Sequence, residues 1–187
     1  MLKYAKVINE ETGLCEVGTG TNSQFYTSIG MKKKDVQQSD IDGQWYLTEK
    51  CPMKSEAEKL EEAKNQKLLE NIQKRDERLN AGVYYKNILF DSDVDQKTNL
   101  QFIAANLNDE EPIVWNGKNN APLECTKADI IALGAEIAKL TMAVWGQGGL
   151  NLTYINAINS AQTMAELEAV NIEYPMEINL ESGEENE

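Results

Sequence analysis

Histidine is absent from the 187-residue sequence, and cysteine occurs only three times. Without histidine, the chain cannot use a Ser-His-Asp or Cys-His nucleophilic scheme, a histidine zinc site or the most common general base near neutral pH. Cys15, Cys51 and Cys125 are too widely spaced for a Cys-x-x-Cys metal site, and their odd number does not suit a disulfide framework. We therefore predict no catalytic residues, no metal site, no cofactor and three free thiols.

Long apolar runs and clusters of positive charge are also missing. No segment approaches the roughly 20 apolar residues of a membrane-spanning helix, and the N-terminal sequence MLKYAKVINEETG lacks the apolar core of a signal peptide. The net charge is −13, and the one basic run, Lys32 to Lys34, is followed by Asp35. These features argue against membrane and nucleic-acid partners and predict synthesis and folding in the cytoplasm.

Residues 1–52 are predicted to form a small β-rich domain. The segments KYAKVI, LCEV, DVQQ and QWYL are separated by turn sequences, among them NEETG and Asp42-Gly43, which is typical of hairpins. About 50 residues bury little surface, so this domain is expected to need stabilising contacts with a neighbouring domain or another subunit.

Two glycines, Gly18 and Gly20, raise the question of a phosphate-binding loop. A P-loop requires a Gly-Lys-Ser/Thr sequence that is missing here, and a Rossmann fingerprint requires glycine where Ser23 stands. The glycines therefore predict a turn between a strand and the segment SQFYTSIG.

Aromatic residues are dense in the first domain. Strand alternation in QWYL sends Trp45 and Tyr46 to opposite faces, so one ring enters the core and the other is free to form a contact surface. We take Tyr26, Trp45 and Tyr46 as the candidate interaction surface, although a core position is the ordinary place for any one of these rings. Trp115 and Trp145, further along the chain, are predicted to be core anchors.

Residues 53–82 are predicted to form a long polar linker helix. Ser55 and Glu58 have the spacing of a capping box, no glycine or proline follows until Gly82, and Gly82 suits a left-handed C-cap. The apolar residues form only a narrow stripe. That stripe fits either a solvated linker or a weak coiled-coil seam that joins two or three copies of the chain; its members are Leu60, Leu68, Ile72 and Leu79.

Residues 83–175 are predicted to form a mainly helical domain with a short β-hairpin or small sheet, and 176–187 an acidic tail. VYYKNILF is interpreted as one strand and PIVWNGKNNAPLEC as a hairpin around Asn116-Gly117. The clearest helix follows Thr126, with a stripe at steps of three or four residues: Ile130, Leu133, Ile137, Leu140 and Val144. The predicted fold class of the whole chain is α+β.

The sequence DSDVD copies the first half of a calcium loop. Gln96 and Phe102 occupy the sixth and twelfth positions, where such a loop has glycine and glutamate. Acidic residues at a helix start also serve as caps without any metal. Cation binding by Asp91, Asp93 and Asp95 therefore stays open at this point.

The chain resembles phage proteins along most of its length. YAKVINEETGLCEVGTGTNSQFYTSIGM followed by DGQWYL is similar to the N-terminal region of small tail-module proteins from tailed phages and prophages of Gram-positive hosts. ILFDSD, the VWNG hairpin, the Thr-capped helix and the closing INSAQTMAELEAV resemble the uncharacterised C-terminal domain of many tail-fibre-region proteins. Together these segments cover nearly all of residues 1–175. The family has no established catalytic residues to carry over.

The resemblance implies a non-enzymatic structural or adaptor protein of the tail-fibre or baseplate module, with a tail-fibre or baseplate protein as partner and the virion tail as destination. A tail-fibre assembly chaperone that caps the fibre is the alternative. A carboxylate-dependent glycan hydrolase ranks third, because carboxylate pairs can act without histidine but their placement cannot be read from spacing.

Overall fold

The computed structural model describes residues 1–109 and 111–176. Helix makes up 47% and strand 21% of the structure, so the fold class is α+β, as predicted. The chain divides into two compact units, Met1–Glu61 (unit 1) and Glu62–Glu187 (unit 2). The predicted acidic tail, apart from Met176, lies outside the described residues.

Unit 1 is built on a closed four-stranded antiparallel barrel. The first strand pairs with two neighbours, through Val7 to Cys15 and through Leu2 to Asp35, and this double pairing closes the sheet. Both predicted hairpins are present, and a short helix follows the Gly18–Gly20 loop. The elements are β1 (Leu2–Asn9), β2 (Leu14–Val17), α1 (Ser23–Ser28), β3 (Lys32–Gln38) and β4 (Trp45–Leu47), in barrel order β1–β2–β4–β3.

The barrel core is small because each strand contributes alternate residues only. Ala5, Cys15 and Val36 are buried at its centre. Around them pack partly buried residues: Val7, Val17, Trp45 and Leu47. Cys15, like the half-buried Cys51 and the buried Cys125 of unit 2, is a free thiol, as predicted.

The long helix α2 spans Glu56–Ala81, close to the predicted bounds. Its capping box is formed as predicted: Glu58 Oε2 accepts from the Ser55 backbone N at 2.8 Å, and Ser55 Oγ accepts from the Glu58 backbone N at 3.2 Å. Gly82 closes the helix with φ of +97°, the left-handed conformation expected of this cap.

The part of α2 from Glu62 onward belongs to unit 2, and there it is more than a solvated linker. Asn71 is 1% and Arg78 6% exposed. Asn71 Nδ2 donates to Asn151 Oδ1 at 3.0 Å, and the Tyr174 hydroxyl donates to Asn71 Oδ1 at 2.8 Å. These buried polar contacts fix α2 against the rest of unit 2. The packing was not predicted, because the many charged residues of α2 are typical of a helix that faces water.

Unit 2 combines helices with two separate two-stranded sheets. VYYKNILF is a hairpin, so its interpretation as one strand was wrong. Lys86 and Asn87 both have positive φ, 48° and 62°, as in a two-residue hairpin turn, and asparagine tolerates that conformation well. The elements are β5 (Val83–Tyr85), β6 (Ile88–Phe90), α3 (Val94–Asn106), β7 (Ile113–Asn116), β8 (Pro122–Cys125), α4 (Lys127–Trp145), α5 (Leu150–Ser160) and α6 (Met164–Glu168).

The core of unit 2 is built around α4. The predicted stripe is confirmed, since all five of its residues are buried: Ile130, Leu133, Ile137, Leu140 and Val144. Phe90 and Leu100 join them from β6 and α3, and Trp115 packs against this cluster as predicted. Trp145 does not, because it lies on the opposite face of α4 and is 50% exposed. Its prediction as a core anchor was therefore wrong.

Candidate protein-interaction surface

The three aromatic residues of the predicted interaction surface do not come together. Trp45 faces the barrel core, opposite Cys15 in the sheet. Tyr46 faces outward, and its hydroxyl donates to Asp42 Oδ2 at 2.8 Å. Tyr26 stacks on Tyr4, with ring centroids 5.8 Å apart. Alternation placed Trp45 and Tyr46 correctly on opposite faces, and the same alternation prevents them from sharing one surface.

The Gly18–Gly20 loop holds the ring of Tyr26. The backbone N of Gly20 donates to the Tyr26 hydroxyl oxygen at 2.6 Å. A Cβ on Gly18 would lie only 2.5 Å from Cε1 of the same ring. Glycine is needed at position 18 because the ring packs directly on the backbone.

The predicted oligomer stripe on α2 is divided between the two units. Leu60 lies in unit 1, and Leu79 packs against the core of unit 2. Leu68 is half-buried, whereas Ile72 is exposed. Because Asn71 and Arg78 turn one face of the helix into unit 2, the four residues do not form one exposed seam.

The acidic segment at the start of α3 acts as a helix cap. Asp93 Oδ1 accepts from the Gln96 backbone N at 2.7 Å, and Asp91 pairs with Lys118 at 3.1 Å. Asp95 lies in the first turn, where a carboxylate suits the helix dipole. Asp91 and Asp93 therefore have partners within the protein, and Asp95 has the ordinary position of an acidic residue at a helix start.

Two kinds of site are not found in the part of the chain that the structure describes. In residues 1–109 and 111–176, no group of three or more Cys, Asp or Glu side chains is placed to hold a metal ion. None of the described helices combines the length and the apolar character that crossing a bilayer requires.

A groove of about 600 Å³ lies between α3 and α4. Most of its lining is apolar, and among the described lining residues Lys97 alone carries a charge. The floor includes Gly134, where an added Cβ would meet no atom within 4 Å. Gly134 adds no side chain to the floor, so the groove leaves room there for a side chain of a partner.

Beside the groove, an uninterrupted row of apolar residues runs along the exposed side of α4. Six residues follow each other at alternating steps of three and four, and all six are exposed. Ile131 is 55%, Met142 63% and Trp145 50% exposed. We call this line the α4 seam; its members are Ala128, Ile131, Ala135, Ala138, Met142 and Trp145.

The α4 seam makes α4 apolar on two sides. One side carries the buried stripe and faces the hairpins and α3, and the other carries the seam. A helix with apolar residues all round is normally buried, whereas a surface helix has one apolar stripe. Within unit 2 as described, the Arg75 guanidinium lies over the Trp145 ring, 4.5 Å from its centroid, at one end of the seam. The other seam side chains are exposed, so the seam side is the candidate functional surface. The seam begins two residues before the buried stripe and has the same spacing of three and four residues, so the signal is present in the sequence although only the first stripe was predicted.

The N-terminus of α4 is held by a cluster around Asp129. Its Oδ1 accepts from the Tyr85 hydroxyl at 2.7 Å and from Lys86 Nζ at 2.6 Å, and its Oδ2 accepts from Thr126 N and Oγ1 at 3.0 and 2.9 Å. The Lys86 ammonium, together with these donors, holds the pKa of Asp129 well below its usual range. Burial, reinforced by the bond to Asp129, raises the pKa of Tyr85 to about 12. The cluster ties α4 to the β5–β6 hairpin.

Replacing Asp129 with asparagine should lower the stability of unit 2 by about 2 kcal/mol at pH 7, because a capping carboxylate and its charge-assisted bonds are lost. The folded pKa of Asp129 lies below its unfolded value of about 3.9. The contribution of the Asp129 carboxylate to folding stability is therefore complete above about pH 3.9. It is lost as the pH falls from there toward the folded pKa. Urea unfolding between pH 7 and pH 3 should show a flatter pH dependence for the variant.

Asp95→Asn is the matched control, since Asp95 also lies in the first turn of a helix but is exposed. Its effect should stay within about 0.5 kcal/mol. Equal pH profiles for Asp129→Asn and the unchanged protein would show that the cluster does not contribute to stability.

The architecture of unit 2 defines an α+β domain with one open apolar helical face. The chain belongs to the family described as Domain of unknown function (DUF4376), which matches residues 62–171. The match begins where unit 2 begins and includes both helices of the groove. No curated protein and no solved structure matches the chain.

Proposed function

We propose that the chain is a non-enzymatic structural or adaptor protein of a bacteriophage tail-fibre or baseplate module, acting by protein–protein interaction. The observation that carries the interaction role is the α4 seam with its adjoining groove. The phage setting is supported by the sequence resemblance of both units to tail-module and tail-fibre-region proteins. The protein would be made in the host cytoplasm and assembled into the virion tail.

The energetics of the α4 seam favour a protein contact. Covering apolar surface contributes about 25 cal/mol per Å², and exposed apolar patches of several hundred Å² on a folded protein mark interaction surfaces. Ile131, Met142 and Trp145 are each at least half exposed, and they lie on one line. Without a partner, large apolar side chains at these positions would favour aggregation of the protein.

The groove does not suit the third candidate, glycan hydrolysis. A glycosidase needs two carboxyl groups about 5–10 Å apart across its cleft. Among the described residues lining the α3–α4 groove, none is an aspartate or a glutamate. The groove therefore supports binding rather than carboxylate chemistry.

Mass spectrometry of purified phage particles tests the proposal. A structural or adaptor protein should be present in each particle at a fixed copy number, and it should co-purify with the tail-fibre or baseplate protein of the same phage when the two are expressed together. Absence from particles, together with no binding to either protein, would overturn the proposal.

The assembly chaperone remains the second candidate, because an apolar face exposed in the free chain suits temporary cover of a fibre's own apolar surface. In that case the protein should be absent from finished particles, and the co-expressed fibre protein should become insoluble without it. Fibre solubility that does not depend on this chain would count against the chaperone.

A further inference from the structure

The α4 seam has a pattern that reads almost the same in both directions. From its N-terminal end the residues are small, large, small, small, large, large: Ala128, Ile131, Ala135, Ala138, Met142 and Trp145. The centre of this pattern falls between Glu136 and Ile137, beside the midpoint of α4 at Glu136. A two-fold axis through that point would lay α4 along the full length of its own copy.

We propose that the α4 seam is covered by the α4 seam of a second copy of this chain, with the two helices antiparallel. The inference rests on the proposed function, because it names what covers the same interaction surface. Residues would meet in pairs placed symmetrically about the centre: Ala128 with Trp145, Ile131 with Met142, and Ala135 with Ala138 of the other copy.

The side-chain sizes fit this pairing. At the centre, Ala135 and Ala138 would meet two alanines, so the helices approach closely. At each end, the large Trp145 would meet the small Ala128, and Ile131 and Met142 would fill the space between. Steps of three and four residues are the spacing of left-handed helix pairs with knobs-into-holes packing. The pattern therefore specifies both the contact and its direction.

The available area is of the right order for a weak, reversible dimer. At 1.5 Å per residue, α4 with 19 residues is about 28 Å long and α3 with 13 residues about 20 Å, and each is about 10 Å wide. The two helices side by side present about 480 Å² in projection. Two partners would therefore bury about 960 Å² in projection, below the roughly 1,200–2,000 Å² of a standard interface and in the range of weak, reversible complexes.

The charges also favour a second copy. Each chain carries a net charge of −13, so two copies repel each other over most of their surface. The groove lining presents Lys97 as its one charged residue among those described, and Arg75 lies over Trp145 at one end of the seam. Glu136 of α4 is paired with Lys139 at 2.7 Å. Cations therefore accompany the charged groups of this face, which lowers the repulsion between two acidic chains there. Added salt, which screens the remaining repulsion, should strengthen the association.

Disulfide crosslinking tests both the contact and its direction. Ile131→Cys and Met142→Cys are placed together in the full chain, with Cys51→Ser to remove the half-buried native thiol. In the antiparallel pair each new cysteine meets the other type across the axis, so mild oxidation should give a covalent dimer in high yield. Positions 131 and 142 are about 16 Å apart along one helix, too far for a bond within the chain.

The two single-cysteine variants are the first control. In an antiparallel pair, the two copies of residue 131 are also about 16 Å apart along the axis, so neither single variant should crosslink. Efficient crosslinking of each single variant would point to a parallel pair and overturn the proposal. No crosslinking of the double variant would overturn it as well.

A second measurement does not depend on oxidation. In analytical ultracentrifugation, Ile131→Glu should raise the dimer dissociation constant at least 10-fold. Leu69→Glu is the matched control, because Leu69 is also a large exposed residue on a helix of unit 2 but lies outside the seam; its effect should stay within threefold. A chain that stays monomeric at high concentration, or equal effects of the two variants, would overturn the proposal.

The two proposals can fail separately. A monomeric chain that binds the fibre or baseplate protein through the α4 seam would remove the dimer and leave the proposed function intact. A dimer that binds neither protein and is absent from particles would remove the proposed function and leave the dimer.

Discussion

Replacing Arg78 with alanine should lower the free energy of unfolding of unit 2 by about 3 kcal/mol. The guanidinium donates to three carbonyl oxygens, those of Gly82 at 2.9 Å, Pro175 at 2.8 Å and Met176 at 2.7 Å. Hydrogen bonds from a charged donor contribute about 1.5–3 kcal/mol each. Burying the Arg78 cation costs desolvation free energy, and the variant no longer has this cost, so part of the lost hydrogen-bond energy is offset. The same burial lowers the pKa of Arg78.

The measurement is urea unfolding followed by tryptophan fluorescence. With Trp45→Phe as background, the two remaining tryptophans, Trp115 and Trp145, both report on unit 2. Hydrogen exchange should also become faster at the amides of Tyr174 and Met176, since Arg78 holds the Pro175 and Met176 carbonyls against α2. Faster exchange confined to α2 would contradict that role.

Lys67→Ala is the control for the loss of a cation from α2. Lys67 forms a surface ion pair with Glu70 at 3.2 Å, and such pairs contribute less than about 1 kcal/mol. If Arg78→Ala were no more harmful than Lys67→Ala, α2 would be only loosely attached to unit 2, and the interpretation as a solvated linker would stand.

Local signals predicted much of the secondary structure. The Ser55–Glu58 and Thr126–Asp129 capping boxes mark true helix starts, and Gly82 marks a true helix end. These features depend on hydrogen bonds between residues a few positions apart, so the sequence contains all that they need. The hairpins of unit 1 were predicted for the same reason.

The errors have two sources: contacts between residues far apart in the chain, and one hairpin turn without glycine. The role of α2 depends on Asn71 and Arg78, which reach Asn151, Tyr174 and Pro175 about 80–100 positions away. Polar residues on a helix ordinarily face water, and only the folded unit shows that these two do not. The VYYKNILF hairpin was missed because its turn, Lys86-Asn87, lacks the usual glycine.

The candidate surface was visible in the sequence but ambiguous there. α4 carries two apolar stripes, and periodicity cannot show which one faces the core. Trp145, taken as a core anchor, lies on the exposed stripe. The assignment depends on where α3 and the hairpins pack, which is a property of the whole unit.

Substitutions on the two stripes of α4 should therefore affect different properties: the buried stripe should control folding stability, and the seam should control association. Leu133→Ala should lower the free energy of unfolding by about 3 kcal/mol, because Leu133 is fully buried at the centre of the unit 2 core and alanine leaves a cavity. Ile131→Ala should change it by less than about 1 kcal/mol in the monomer, because half of that side chain is already in water. Urea unfolding at a protein concentration too low for association gives both values.

The order of the two variants should reverse when the dissociation constant of the dimer is measured. Ile131→Ala should weaken the dimer, whereas Leu133→Ala should leave the dissociation constant nearly unchanged under conditions where it stays folded. A loss of folding stability from Ile131→Ala as large as that from Leu133→Ala would assign both stripes to the core of unit 2. The α4 seam would then be part of the fold, and the surface on which both proposals depend would not exist.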